Sequence, residues 1–470
     1  MTSEAVLDGS SYRGAVRGAL GEGWEAAGLH ASSDRLGPLV RALLVGPSGE
    51  TRLVSTRVEG GAVPTLVDIA AALGWDEREA HDLHDVTFDG HEPLRPLVRH
   101  DPVLRHWTVP VSGTDAHQVA VGPIHAGVIE SGHFRFHVVG DRVLLLDGRL
   151  FYKHRGLEAA AVGASLDDGL TVAARACGAC WVTNAVAYAH ACEAIRGLHP
   201  SPELARARTV LLELERLWSH FNDIGAMCAG VGMAAGAHRF AAFTEDARRL
   251  NASVAGHRFA FGSVQVGGSA LSLDAAEIST LRAGLDRVRA DGTVAWRELL
   301  FNASFMDRMP EIGVVTAEDA ASLGTVGPAA RAAGRAVDVR ATSPRLAYEG
   351  FEPALLRRLA GDVQARLEQR ALELVQCLDL LDALLDGPIR PSVAVPSAPP
   401  EAIGIGRVES PRGATTCIVE PDGDRVARLR LRTGSYANWP SVAHAVNDAL
   451  LPDFPLINKS FELCYACADR

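Results

Sequence analysis

Two Cys-x-x-Cys pairs constrain what this chain can fold into more than any other feature. The first is Cys177-Gly178-Ala179-Cys180, and the second is Cys464-Tyr465-Ala466-Cys467, followed by Ala468, Asp469 and Arg470. Thiolate sulfur suits soft and borderline metals, so four thiols brought together make a metal site. A zinc ribbon keeps its two pairs about 15–20 residues apart. Here more than half the chain lies between them. The last residues of a chain are ordinarily frayed. If both pairs serve one site, these residues must instead be pinned inside the fold.

The remaining composition can support such a core. The 470 residues are 47% hydrophobic and 22% charged, and the mean hydropathy is +0.08. That length suggests two or three domains and argues against disorder. A net charge of −11 makes nucleic acid an improbable partner. No apolar run approaches the roughly 18–20 residues that span a bilayer. The opening MTSEAVLDGSSYRG lacks the basic and apolar segments of a secretory signal. Eight cysteines without such a signal fit a reducing compartment better than a disulfide framework. The reading is a soluble, cytoplasmic chain, with any membrane attachment supplied by partners.

Local patterns predict an α+β organisation. The first roughly 110 residues read as a small α+β unit, with a strand over Leu53-Val58 and a helix over Thr65-Leu73 ended by Gly74-Trp75. His106-Ser112 fits a strand or a linker, and Ser112-Gly113-Thr114-Asp115 fits a boundary. Phe134-Val139, a Gly140-Asp141 turn and Val143-Leu146 predict a hairpin. From about residue 157 to 390 the chain reads as mainly helical, with long helices over Pro202-Met227 and Asp362-Leu385. A Pro-rich connection (387–402), a strand-rich segment (Gly404-Arg432) and a short helix lead to the second cysteine pair.

Trp181 onward looks helical, with Trp181, Ala185, Tyr188, Ala189, Cys192 and Ile195 on one face. Cys177 and Cys180 then sit at a helix N-terminus, where the dipole favours thiolate. One such pair alone fits a redox couple, a zinc half-site or chance; two pairs favour metal. Cys192, Cys228, Cys377 and Cys417 lack such spacing and read as buried core residues.

The neighbourhoods of the cysteines add more. Arg175-Ala176-Cys177-Gly178-Ala179-Cys180 and the segment from Asp453 to Arg470 resemble the two signatures of nickel–iron (NiFe) hydrogenase large subunits. Val121-Phe134, Tyr152-Glu158, Glu409-Ser410-Pro411-Arg412-Gly413 and Arg432-Pro440 match in the same order. The details resemble the complex-I-related, energy-converting branch that includes formate hydrogenlyase large subunits. Gly74-Leu83 and Phe88-Arg95 resemble the 30-kDa subunit of complex I, a unit fused in formate hydrogenlyase as well.

This resemblance implies a 30-kDa-like unit over 1–112 and a mainly helical large-subunit-like (49-kDa-like) unit over 118–470, with peripheral strands. It implies that Cys177 and Cys464 bind nickel terminally and that Cys180 and Cys467 bridge nickel to an iron carrying carbon monoxide and cyanide. Glu130 aligns with the proton-gate glutamate, and Arg412 with the arginine over the open metal position. Pro411, Arg412 and Ser435 line the cofactor, Ser435 as a donor to cyanide. Glu158 aligns with a carboxylate that binds a magnesium-like ion in some relatives; with Arg470 at the chain's end, a Glu158–Arg470 ion pair is expected to replace that ion. The implied partners are an iron–sulfur small subunit, similar to the 20-kDa subunit of complex I and carrying a 4Fe-4S cluster, and membrane subunits. They would hold the chain on the inner face of the cell membrane, with H2 and protons as substrates. The pattern also departs from the family. Asn184 stands where histidine is usual, Glu462-Leu463 where Asp-Pro is usual, Ala174 where glutamate is usual and Gly434 where proline is common. These departures motivate the alternative of a hydrogenase-like scaffold with little or no activity. A plain four-thiolate zinc or iron protein is a third reading.

Overall fold

The computed structural model describes residues 3–100, 111, 113, 115–124, 130–357 and 359–470. The N-terminal part is a four-stranded sheet. Its strands are β1 (Ser3–Leu7), β2 (Glu25–Asp34), β3 (Gly37–Val45) and β4 (Thr51–Arg57), in the order β1-β4-β3-β2. β1 runs parallel to β4, and the other pairs are antiparallel. Helix α1 (Gly9–Gly21) starts at Asp8, whose carboxylate accepts the N–H groups of Ser10 and Ser11 at 3.0 Å each. Strand alternation then sorts the side chains. Val40, Ala42 and Leu44 join Tyr12 and Val16 in the N-terminal core. Leu43 and Leu53 instead pack with Ile403 and Ile418 from the far end of the chain.

The expected helix over Thr65-Leu73 is not formed. Only Ala71–Leu73 makes a 3-10 turn, and the helix, α2, runs over Gly74–His84. Charge placement explains the shift: Asp76 and Glu77 occupy its first turn, and His81 and His84 its last, as the helix dipole favours. The buried Glu77 carboxylate also ties the preceding segment down, accepting Thr65 Oγ1 and Leu66 N at 2.6 Å each. Of the strand or linker at His106-Ser112, only Val111 is described, without regular structure. Ser112 and Thr114 of the expected boundary, and His125 to Ile129 of the matched segment, lie outside the described residues.

The larger part opens with the expected hairpin. β5 (His117–Val121), β6 (His133–Val139) and β7 (Arg142–Arg149) form an antiparallel meander. Helices α3 (Trp181–Ile195), α4 (Pro202–Gly230), α5 (Ala234–Ala255), α6 (Ala275–Leu300) and α7 (Val363–Leu384) build the main core. The two long helices foreseen in the sequence start at caps. Ser201 Oγ accepts Leu204 N at the head of α4, with Pro202 in its first turn, and Asp362 accepts Ala365 N at the head of α7. The one-faced reading of α3 needs correction: Trp181 through Glu193 are all buried. Its mostly small or apolar side chains allow neighbours to pack on every side.

A second antiparallel meander, β8 (Gly404–Ser410), β9 (Gly413–Asp422) and β10 (Arg425–Arg432), lies against α3 and the N-terminal sheet. The single short helix expected near the end is three: α8 (Gly434–Val446), α9 (Phe454–Phe461) and α10 (Tyr465–Asp469). These last residues are not frayed, for Asp469 and Arg470 are buried. Among the described residues, no helix is long and apolar enough to cross a membrane.

Candidate metal centre

The first cysteine pair sits on the loop that enters α3, with Cys180 as the residue capping that helix. A thiol caps poorly, and Cys180 makes no side-chain cap bond. The service comes from Glu215 on α4, whose carboxylate accepts Val182 N at 2.8 Å, Thr183 N at 3.2 Å and Thr183 Oγ1 at 2.5 Å. Burial, with the negative charge at Cys177 adding to it, pushes the Glu215 carboxyl up to about 7.

The second pair arrives by a sharp turn. α9 ends at Glu462, which takes the left-handed φ of +45°. The next residues are held by side chains from elsewhere. Ser435 Oγ accepts Cys464 N at 3.0 Å, and Thr433 Oγ1 donates to the Cys467 carbonyl at 3.0 Å. Arg155 joins the two pairs: its Nη2 donates to the Ala176 carbonyl at 2.7 Å and to the Ala466 carbonyl at 3.2 Å.

The four thiols therefore meet. Cys177 Sγ lies 3.0 Å from Cys464 Sγ, and the sulfurs of Cys177, Cys464 and Cys467 all lie within 4.8 Å of one another. Cys180 packs in the same cluster. Hydrogen bonds from Cys180, then Cys464 and Cys467, hold the Cys177 thiol well below its ordinary range, while the other three are raised. The remaining four cysteines, Cys192, Cys228, Cys377 and Cys417, are free and fully buried elsewhere.

Arg412 reaches this cluster from the Pro411-Arg412 turn between β8 and β9. The turn closes because Gly413 adopts φ +117° opposite Ser410. The turn is not a surface feature: Arg412 is 5% exposed. Its Nε donates to the Glu462 carbonyl at 2.9 Å and its Nη2 to Asp223 at 3.1 Å. Burial opposes its charge, but Asp223, then Cys180, Cys464 and Glu462, outweigh it and raise its pKa. Arg412 Nη1 is buried without a partner among the described residues, and so are both amide atoms of Asn184, one helical turn beyond Cys180. Such orphaned groups are costly to bury. Four soft donors with unpartnered hydrogen-bonding groups beside them fit a thiolate-bound nickel–iron group whose small ligands accept hydrogen bonds.

Glu130 lies near the second pair, within electrostatic reach of Tyr465 and Asp469. The chain there passes so close to Tyr465 that a Cβ on Gly132 would stand 2.6 Å from Tyr465 Cε1. The charge of Glu130 acts on Tyr465 and on Asp469. Asp469 is pushed up to about 6, chiefly by burial. Glu158 is surrounded by cations: Arg470 Nε at 3.3 Å, Arg428 Nη1 at 3.2 Å and Arg430 Nη1 at 3.5 Å. Leu431 N also donates to it at 2.9 Å. The carboxylate thus has the Arg470 ion pair, and arginines stand where a magnesium-like ion would need open ligands.

Sequence reading missed Glu215 and Asp223, which respectively cap the first pair's helix and orient Arg412. Both lie on α4, and the available signal was their presence, with Glu213 and Arg216, inside a helix whose apolar periodicity announces burial.

Comparison with known proteins agrees with this geometry. The family described as the 49 kDa subunit of respiratory-chain NADH dehydrogenase matches residues 231–393 and 392–470. The 30 kDa subunit family matches residues 41–112. Formate hydrogenlyase subunit 5 of Escherichia coli K12 is 28% identical over 89% of this chain and 79% of its own length. The carbon monoxide-induced hydrogenase of Rhodospirillum rubrum is 28% identical over 75% of this chain and 99% of its own. An NADH-quinone oxidoreductase component of Salinispora arenicola is 29% identical over 73% of this chain and 90% of its own. Among solved structures, a chain of the archaeal membrane-bound sulfane sulfur reductase shares the fold, with a TM-score of 0.69 and 24% identity over 77% of this chain and all of its own.

Proposed function

This chain belongs to the family of the 49 kDa subunit of respiratory-chain NADH dehydrogenase, carries a 30 kDa-subunit segment ahead of it, and is an oxidoreductase subunit of that complex-I-related kind; we propose that it is the catalytic large subunit of a NiFe hydrogenase interconverting H2 with protons and electrons. The observation that carries the reading is the meeting of both cysteine pairs beneath a buried arginine with an unused donor. The hydrogenase relatives support it.

Cys177, Cys180, Cys464 and Cys467 would hold nickel and an iron bearing carbon monoxide and cyanide. The bound group supplies the electron-rich centre at which H2 is split or formed. Positioning and proton handling fall to this chain's residues. Arg412, fixed by Asp223 and the Glu462 carbonyl, presents Nη1 as a preorganised donor beside the thiols. Ser435 accepts Cys464 N on its oxygen, which leaves its hydroxyl proton free to donate to a small ligand of the group such as cyanide, were it bound. Pro411 fixes the turn that aims Arg412. Glu130 would take a proton on its carboxylate and pass it outward. The electrons would pass to a 4Fe-4S cluster held by an iron–sulfur partner similar to the 20-kDa subunit of complex I. That partner and membrane subunits hold the chain to the inner face of the cell membrane. The two units run over 1–112 and 118–470.

One observation favours a second reading, a hydrogenase-like scaffold with little or no activity. Asn184 is buried beside the thiols with an amide that cannot carry a proton. Metal analysis and infrared spectroscopy of the purified complex separate the two. Stoichiometric nickel with carbonyl and cyanide bands and H2 turnover supports the hydrogenase; zinc alone, or no metal, overturns it.

A further inference from the structure

The second cysteine pair is held by residues from the other end of the chain. Helix α2, in the N-terminal unit, points Trp75, Asp76 and Glu79 at the segment behind the metal centre. Asp76 is 1% and Glu79 4% exposed. Asp76 accepts Arg430 Nη2 at 2.7 Å and Arg432 Nε at 3.1 Å. Glu79 accepts both Arg430 Nη1 and Arg470 Nη2 through its Oε1. Arg470 in turn donates from Nη1 to the Leu431 carbonyl at 2.8 Å, and its own carbonyl accepts Arg155 N at 2.8 Å.

These guanidiniums gather around one ring. The carbons at the centres of Arg470, Arg430 and Arg432 lie 4.6, 5.3 and 5.7 Å from the centroid of Tyr436. Trp75 packs edge-on against the same ring at 5.6 Å. Tyr436 follows Ser435, which holds Cys464, and Arg470 lies one turn beyond Cys467. Without carboxylates, three arginines buried around a tyrosine would repel one another. Glu158 supplies one carboxylate from within the larger unit; Asp76 and Glu79 come from α2.

We infer that α2 is a positioning element of the metal centre: Asp76 and Glu79 neutralise the arginines that lock the Cys464–Cys467 segment into place. The N-terminal unit is then more than an appended domain, because removing its carboxylates loosens two of the four thiols. The inference rests on the four cysteines forming one centre, whichever metal that centre takes.

The test is hydrogen–deuterium exchange and thiol alkylation on the full-length, metal-free chain. Glu79→Gln keeps size but leaves Arg430 and Arg470 short of a negative charge. Exchange in the peptide covering 462–470, and alkylation of Cys464 and Cys467, should rise about tenfold or more through local opening, while the strands β2–β4 keep their protection. Glu420→Gln is the control. Glu420 also joins the two units, accepting His30 at 2.9 Å, Ser32 at 2.6 Å and Arg41 at 3.1 Å, but it makes no bond to the cysteine segment. It should leave 462–470 protected. Should Glu79→Gln fail to accumulate, Arg470→Lys gives the same reading, since lysine loses the fork that spans Glu79 and the Leu431 carbonyl. Unchanged exchange and alkylation at 462–470, or equal loosening by Glu420→Gln, overturns the inference. A wild-type complex without nickel counts against the proposed activity, whereas exchange in the metal-free chain alone decides this point.

Discussion

The two cysteine pairs offer the same thiol donors and are unequal in how they are held. Cys177 and Cys180 lie between consecutive helical segments in the middle of the main core, and α3, which follows them, is buried on all sides. Cys464 and Cys467 ride on a five-residue helix, α10, which is too short to stand alone. Their place is set by Ser435, Thr433, Arg412, Arg155 and Arg470, and through Arg470 by Glu79 of the N-terminal unit. The first half of the centre thus sits in the main core beside Glu215 and Arg155, and the second depends on contacts gathered from distant parts of the chain. Perturbations at a distance should reach the second half first.

The shared donor chemistry is the part of this comparison with the largest consequence. Cys177→Ser and Cys467→Ser, one from each arm, should both abolish nickel retention and H2 turnover. Oxygen is a harder donor than sulfur and does not replace it at a soft centre. Nickel analysis beside an H2 assay checks this, and full nickel and turnover in either variant would dissolve the four-cysteine site.

The next two effects concern Arg412 and Glu130, which approach the second pair from different parts of the chain. Glu130→Gln should keep the metals and slow proton-dependent turnover by about 10²–10⁴, the usual contribution of a general acid–base group. Wild-type H2 oxidation in that variant would send the proton elsewhere. Arg412→Lys should also keep nickel and the infrared bands but lose about 10²–10³ in rate, as when one preorganised donor is removed. Lysine preserves the charge, yet it cannot bond Asp223 and the Glu462 carbonyl while presenting a third nitrogen. A surface arginine would show almost no change, so an intact spectrum with full activity would reduce Arg412 to a structural role.

The same inequality explains what the sequence revealed. The hairpin of β6 and β7 and the long helices α4 and α7 are local signals, and each is found where its residues predict. The helix over Thr65-Leu73 was misplaced because apolar content was weighed above the acidic first turn that starts α2. Asp76 and Glu79 were invisible for a different reason. On a short helix they read as solvated acids, and their arginine partners lie more than 350 positions away in sequence. Glu215 was hidden likewise, as an acid inside a long helix whose partner is the backbone of another helix. Periodicity reports which face of a helix is buried, but it is silent about what a buried charge meets.

The smallest expected effect sharpens the comparison from the side of the first pair. Glu215 caps α3 and stands behind Cys177, and burial raises it to about 7. The native chain therefore holds a proton there that an unfolded chain, with an ordinary glutamate near 4.5, releases. By linkage, stability falls as pH rises wherever the native state binds more protons. The contribution is fully present below about 4.5 and is lost as pH climbs through about 7. At about 1.4 kcal/mol per pH unit across the span from 4.5 to about 7, that loss is on the order of 3–4 kcal/mol. Glu215→Gln retains a carbonyl acceptor for Val182 and Thr183 but has no proton to lose, so its slope across this window should be shallower than the wild type's by that amount, the remainder coming from other raised carboxyls such as Asp469. Urea denaturation of the metal-free chain from pH 4.5 to 7.5, wild type against variant, measures the difference directly. Thiol alkylation on the same samples should show Cys177 and Cys180 responding to pH through Glu215, with Cys464 and Cys467 following less. Parallel stability curves for the two proteins would mean that Glu215 is ionised throughout, and that the head of α3 is capped by a carboxylate rather than by an acid sharing its proton with the site.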